Sequence, residues 1–148
     1  EMKERKITEK EFKDGMDVSI VHINHQNELT YAGARNPIYI INNGELKELK
    51  GTRRSVGMHD KRFTAPFQSQ KLQVNPMDKI FMFSDGFPDQ KGGPKGKKFY
   101  YQPFKDLLTG ISSSSISGAD SELNKVYNEW RGKHEQFDDV LVVGIEVT

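Results

Sequence analysis

The chain has 148 residues, the size of one domain, with 22 Lys and Arg against 21 Asp and Glu and a formal charge of +1. That balance excludes the overall basic footprint of a nucleic-acid-binding protein, and the absence of Cys excludes disulfides, Cys-ligated zinc and thiol catalysis. Apolar residues make up only 34%, which predicts a thin core, and Val, Ile and Phe far outnumber the 4 Ala, which points to sheet rather than a helical bundle.

Residues 1–13 (EMKERKITEKEFK) are charged, lack the apolar centre of a signal peptide and read as a helix end or linker. Residues 16–24 alternate as a half-buried strand, and Glu28–Ala32 returns as its hairpin partner after a turn at Gln26-Asn27. Pro37–Ile41 and Glu45–Leu49 flank Asn43-Gly44, a strong hairpin signal because a type I′ turn needs positive φ at both central residues. A strand is expected within Phe63–Val74, and Lys79–Ser84 (KIFMFS) reads as a strand buried on both faces. Residues 86–98 (GFPDQKGGPKGKK) read as a flexible basic loop, because the spacing fails the P-loop pattern. A short helix over Phe99–Leu108, a polar connector at 112–117 and an amphipathic helix over Asp120–Arg131, capped by Ser121, follow. The last strand is expected over Asp138–Val147. No apolar stretch reaches the length of a membrane-spanning helix. Strands precede helices, so the fold class is α+β, with mostly antiparallel sheets.

Two aspartate positions could carry chemistry. Asp85 follows the apolar strand IFMFS and precedes Gly86, whose backbone can bend sharply. Asp138 and Asp139 open the terminal strand. Carboxylates on rigid strand ends suit Mg²⁺ or Mn²⁺, which prefer oxygen donors; the same residues also act as plain turn formers. His22, His25, His59 and His134 show no metal-ligand spacing, and Ser84 lies in no nucleophile elbow.

In their order along the chain, KDGMDVSIVHIN, LTYAGARNPIYII, KIFMFSDGF and EWRGKHEQFDDVLVVGIEV resemble the distal half of a metal-dependent protein phosphatase (PPM) domain of the bacterial SpoIIE type. The resemblance implies a PPM-like α-β-β-α sandwich over residues 14–148. It implies that Asp85 and Asp138 are metal ligands, with Gly86 in a backbone role, Asp139 beside the ligand and Asp14 at a third, weaker ion. Arg35 stands where the family turn carries His and would favour a substrate phosphate. The implied activity is hydrolysis of phosphoserine or phosphothreonine by water activated between two Mn²⁺ or Mg²⁺ ions. The implied setting is cytoplasmic, with a phosphorylated regulatory protein as partner and neither nucleic acid nor membrane contact.

The family's earlier Gly-Asp motif, whose Asp bridges the two ions, has no counterpart here. The expectation is therefore a distal portion that binds metal weakly and turns over slowly or not at all, with apolar sheet surface left to pair as a homodimer or with the other half. The alternative is a non-catalytic binding or dimerisation module on the same sheet.

Overall fold

The computed structural model describes residues 15–57, 66–113 and 115–148. Asp14 and the 1–13 segment lie outside the described residues. Among the described residues nine strands and three helices follow in chain order: β1 Val18–Ile23, β2 Glu28–Ala34, β3 Ile38–Asn42, β4 Glu45–Leu49, β5 Ser69–Gln73, β6 Lys79–Phe83, α1 Gly86–Asp89, β7 Lys91–Gly92, β8 Lys97–Lys98, α2 Tyr101–Ile111, α3 Ala119–Arg131 and β9 Val142–Glu146. The fold is α+β, as the sequence predicts. One sheet runs β1-β2-β5 and a second β4-β3-β6-β9, and all the strand pairs are antiparallel.

Period-2 alternation explains the layers. Ile38 and Ile40 of β3 and Ile80 of β6 face the first sheet, where they meet Leu29, Tyr31 and Val74. Their neighbours Tyr39, Ile41, Phe81 and Phe83 point the other way, onto Phe87, Phe104, Leu108 and Tyr127. β6 is thus buried on both faces, as its apolar run requires. The helical side is dominated by aromatic rings, with Phe83–Phe104, Phe87–Phe104 and Phe87–Tyr127 centroids 5.1, 4.9 and 5.1 Å apart. Asn43 and Gly44 have φ of 47° and 80°, as the predicted β3–β4 turn demands.

Three expectations need correction. Residues 86–98 are not a flexible loop: they form one helical turn and a short hairpin seated on α3. Gly92 and Gly93 lie against Trp130, the Gly93 N–H donates to the Trp130 carbonyl (2.8 Å), and Trp130 Nε1 donates to the Gln90 carbonyl (3.0 Å). Ser121 does not cap α3; the N-cap is Gly118 at φ 91°. The terminal strand begins at Val142, which leaves Asp138–Leu141 irregular.

Tyr31 is fully buried, and its hydroxyl donates to the Asn36 carbonyl at 2.6 Å. Burial, and then the charge of Glu48, push its pKa up to about 12. The unfolded phenol ionises near 10, so the stability held by the neutral form is full below pH ~10 and is lost as pH rises through ~12. We expect Tyr31→Phe to cost about 1 kcal/mol at pH 7 through the lost hydrogen bond and to flatten the fall in stability between those pH values. Chemical denaturation at stepped pH reads both effects.

Candidate metal and substrate site

Two hydrogen-bonded clamps bring distant segments to the end of β6. Ser84 Oγ donates to the Asp139 carbonyl (2.7 Å) and accepts the Leu141 N–H (2.9 Å), while the Ser84 N–H donates to the Leu141 carbonyl (2.9 Å). This ties the 138–141 segment to the residue before Asp85. On the other side, Asn36 Nδ2 donates to the Phe83 carbonyl at 2.9 Å, which ties the β2–β3 turn to the same strand end. Neither Ser84 nor Asn36 carries a signal in the sequence that would assign this role.

Gly86 acts through its backbone by close approach. Its φ is not among the positive values, so it does not need the left-handed region that favours glycine. A Cβ there would collide with the Asp139 carbonyl oxygen and lie 2.9 Å from the Asp139 carbonyl carbon. The glycine lets the Asp138-Asp139 segment lie directly against the Asp85-Gly86 backbone.

Asp85 and Asp138 therefore sit close enough to repel. Partial desolvation raises the Asp85 pKa above its ordinary value, and the charges of Asp138, Asp89 and Asp17 add to this against a lowering backbone hydrogen bond. The Asp139 N–H donates to Asp138 Oδ1 (2.7 Å), which orients that carboxylate. Asp138, Gly86 and Asp89 line a cleft of about 270 Å³ with Lys91, Lys98 and Phe137. Lys98 Nζ lies 2.8 Å from Asp89 Oδ2. Among the described residues no group of three or more His, Asp or Glu side chains converges. Asp85 and Asp138 offer the carboxylate oxygens that hard cations prefer, and two carboxylates do not by themselves fill two ion positions.

Arg35 sits at φ 57°, in the left-handed region. Its N–H donates to the Thr52 carbonyl (2.8 Å), beside a parallel bridge between Ala34 and Thr52. A second cleft, of about 580 Å³, is lined by Asp17, Arg35, Glu48, Lys50, Arg53 and Tyr101, among others. An arginine in this backbone region costs about 1 kcal/mol that glycine would not. Arg35→Gly is expected to raise the melting temperature by a few degrees in a thermal melt followed by circular dichroism.

With this geometry in hand, the chain can be placed. The sequence profile of Stage II sporulation protein E (SpoIIE) matches residues 5–148. The chain belongs to the SpoIIE family. Its structure resembles the SiaA PP2C domain of Pseudomonas aeruginosa, at TM-score 0.80 and 26% identity, over 89% of this chain and 52% of that one. It also resembles the Mn-presoaked phosphatase domain of SpoIIE from Bacillus subtilis (0.64, 16%, 88% and 56%). A third likeness is to the PPM Ser-Thr phosphatase MsPP of Mycobacterium smegmatis in complex with cacodylate (0.62, 15%, 90% and 63%). These SpoIIE, PP2C and PPM domains share its fold, and this SpoIIE-family chain spans about half to three-fifths of their length. No curated protein gives a significant match. Among the described residues no helix is long and apolar enough to cross a membrane.

Proposed function

We propose that this chain carries the distal half of the active site of a metal-dependent phosphoserine/phosphothreonine protein phosphatase. The observation that supports this most directly is the Asp85–Asp138 pair, set by the Ser84 clamp and by the close approach at Gly86. Asp85 and Asp138 would hold Mn²⁺ or Mg²⁺, with Asp139 fixing the segment through its backbone and Asp14 the candidate for a further ion. Bound metal would supply an activated water and charge compensation for the phosphoryl oxygens. Arg35, held beside β6 through Asn36, would receive the phosphate of a phosphorylated regulatory protein. The proposed setting is cytoplasmic signalling.

Purified chain is expected to hydrolyse p-nitrophenyl phosphate slowly or not at all with Mn²⁺ and to bind Mn²⁺ more weakly than low micromolar. Fusion to an upstream segment carrying Gly-Asp should restore turnover that EDTA removes. Robust Mn²⁺-dependent turnover by the 148 residues alone would overturn the half-site reading. If neither form turns over, the binding-module alternative takes its place.

β9 is a sheet edge, and its sandwich-side residues Val143 and Ile145 are exposed together with Leu141. Unpaired apolar edges invite pairing. We expect self-association in light scattering, and Val143→Lys to return the chain to a monomer.

A further inference from the structure

The larger cleft beside the aspartate pair has a charge pattern that one phosphate does not use up. Arg35, Lys50 and Arg53 line it, and none of the three has an ion pair among the described residues. Of its two acids only Glu48 is neutralised by a cation, and Asp17 keeps its charge, which leaves three cations against one free carboxylate. Asp17 accepts a hydrogen bond from Ser55 Oγ, and Glu48 pairs with Lys105 Nζ at 3.1 Å.

The backbone that carries these cations is rigid. The Thr52 N–H donates to the Gly33 carbonyl at 2.7 Å, and the Arg35 N–H donates to the Thr52 carbonyl at 2.8 Å. Gly51 lies so close to Gly33 that a Cβ on it would stand 2.9 Å from the Gly33 carbonyl. Arg35 and Arg53 therefore follow directly from two paired residues, Ala34 and Thr52. Tyr101, at the start of α2, joins them as an exposed aromatic wall. Asn36, the residue after Arg35, is tied through Nδ2 to the Phe83 carbonyl two residues before Asp85, so the cleft adjoins the aspartate pair.

We propose that this cleft selects phosphorylated segments flanked by Asp and Glu, with Arg35 facing the phosphate and Lys50 and Arg53 facing the flanking carboxylates. The proposal rests on the phosphatase reading for the place of the phosphate. Charge complementarity carries it: three cations in one rigid cleft match a peptide with several negative charges better than an isolated phosphate. Guanidinium groups at 35 and 53 add bidentate geometry for carboxylate or phosphate.

The test is peptide binding by fluorescence anisotropy with the 148-residue chain in EDTA, where binding is read without turnover. An Asp/Glu-flanked phosphoserine peptide should bind at least about tenfold tighter than a Lys/Arg-flanked one, with affinity falling as salt rises. Arg53→Glu and Lys50→Glu should each weaken the acidic peptide about tenfold or more. Lys125→Glu, exposed on α3, makes the same charge change outside the cleft and should move it less than twofold. Arg53→Gln, with an unchanged melt, guards against misfolding. Equal binding of the two peptides overturns the proposal, as does equal weakening by the cleft and α3 variants. Cleft-dependent binding without p-nitrophenyl phosphate hydrolysis, even in the extended chain, would overturn the catalytic reading alone and leave this one standing.

Discussion

Asp85→Asn should raise the melting temperature in EDTA and abolish the stabilisation that Mn²⁺ gives. The two effects have opposite signs and one cause. In the folded chain the Asp85 carboxylate is partly desolvated and faces Asp138, Asp89 and Asp17, all of like charge, so its pKa is raised. A raised carboxylate pKa means that the ionised form is less favourable folded than unfolded. At neutral pH the charge therefore works against the fold, and a neutral amide of the same shape removes that repulsion. The same repulsion is what a divalent cation relieves. At a Mn²⁺ concentration tenfold above Kd, binding to the folded state alone adds about 1.4 kcal/mol, which the variant should lose completely. Thermal melts of both proteins, with and without Mn²⁺, read all four values. A variant that loses stability in EDTA would overturn the repulsion, and one that keeps its Mn²⁺ response would separate Asp85 from any metal role. In an extended chain that turns over, the same substitution should cost on the order of a hundredfold or more in rate, since removing an electrostatic group at a reacting centre typically costs that much.

How much of this was legible in the sequence depends on the range of the interaction that decides each feature. β3, β4 and β6 are set by alternation, by the Asn43-Gly44 turn and by an uninterrupted apolar run, all local, and they stand where the residues place them. Asp85 and Asp138 were legible as candidates because each adjoins an apolar strand. Their meeting was legible only through the family resemblance, because it depends on Ser84, which reaches across 55 residues to the Asp139 carbonyl. The 86–98 segment misled for the same reason. Its glycines and lysines look like solvated loop, yet Gly92 is small so that Trp130 can lie on it. Gln90, buried, accepts the Tyr127 hydroxyl (2.7 Å) and donates to the Glu135 carbonyl (2.9 Å). Tertiary partners overrode local composition there. Ser121 failed as a cap because Gly118, at a positive φ, begins the helix three residues earlier. The second cleft draws Arg35 from the β2–β3 turn, Lys50 and Arg53 from the segment after β4 and Tyr101 from α2, and only the first had a motif to mark it.

Gly86→Ala is expected to break the site through the backbone without touching a carboxylate. The new methyl group would overlap the Asp139 carbonyl oxygen and stand 3.2 Å from Val140 Cγ2. The 138–141 segment cannot step aside cheaply, because Ser84 holds it through the Asp139 carbonyl and through both the N–H and carbonyl of Leu141. Overpacking against fixed backbone costs about 1–3 kcal/mol, so the melting temperature should drop by roughly 2–4 °C for each of those kcal/mol. Relief of the clash moves Asp138 away from Asp85, and the Mn²⁺ response should weaken by at least about tenfold, as misplacement of a ligating group predicts. Gly110 supplies the internal comparison. It lies inside α2, and a methyl group on it would meet nothing within 4 Å, so Gly110→Ala should stabilise by about 0.5–1 kcal/mol and leave the Mn²⁺ response unchanged. Opposite shifts from the same chemical change would show that the glycine after Asp85 is required by contact between two chain segments, not by backbone flexibility. Equal and small shifts would mean that the 138–141 segment is free to move, and that the aspartate pair is not held as the hydrogen bonds of Ser84 imply.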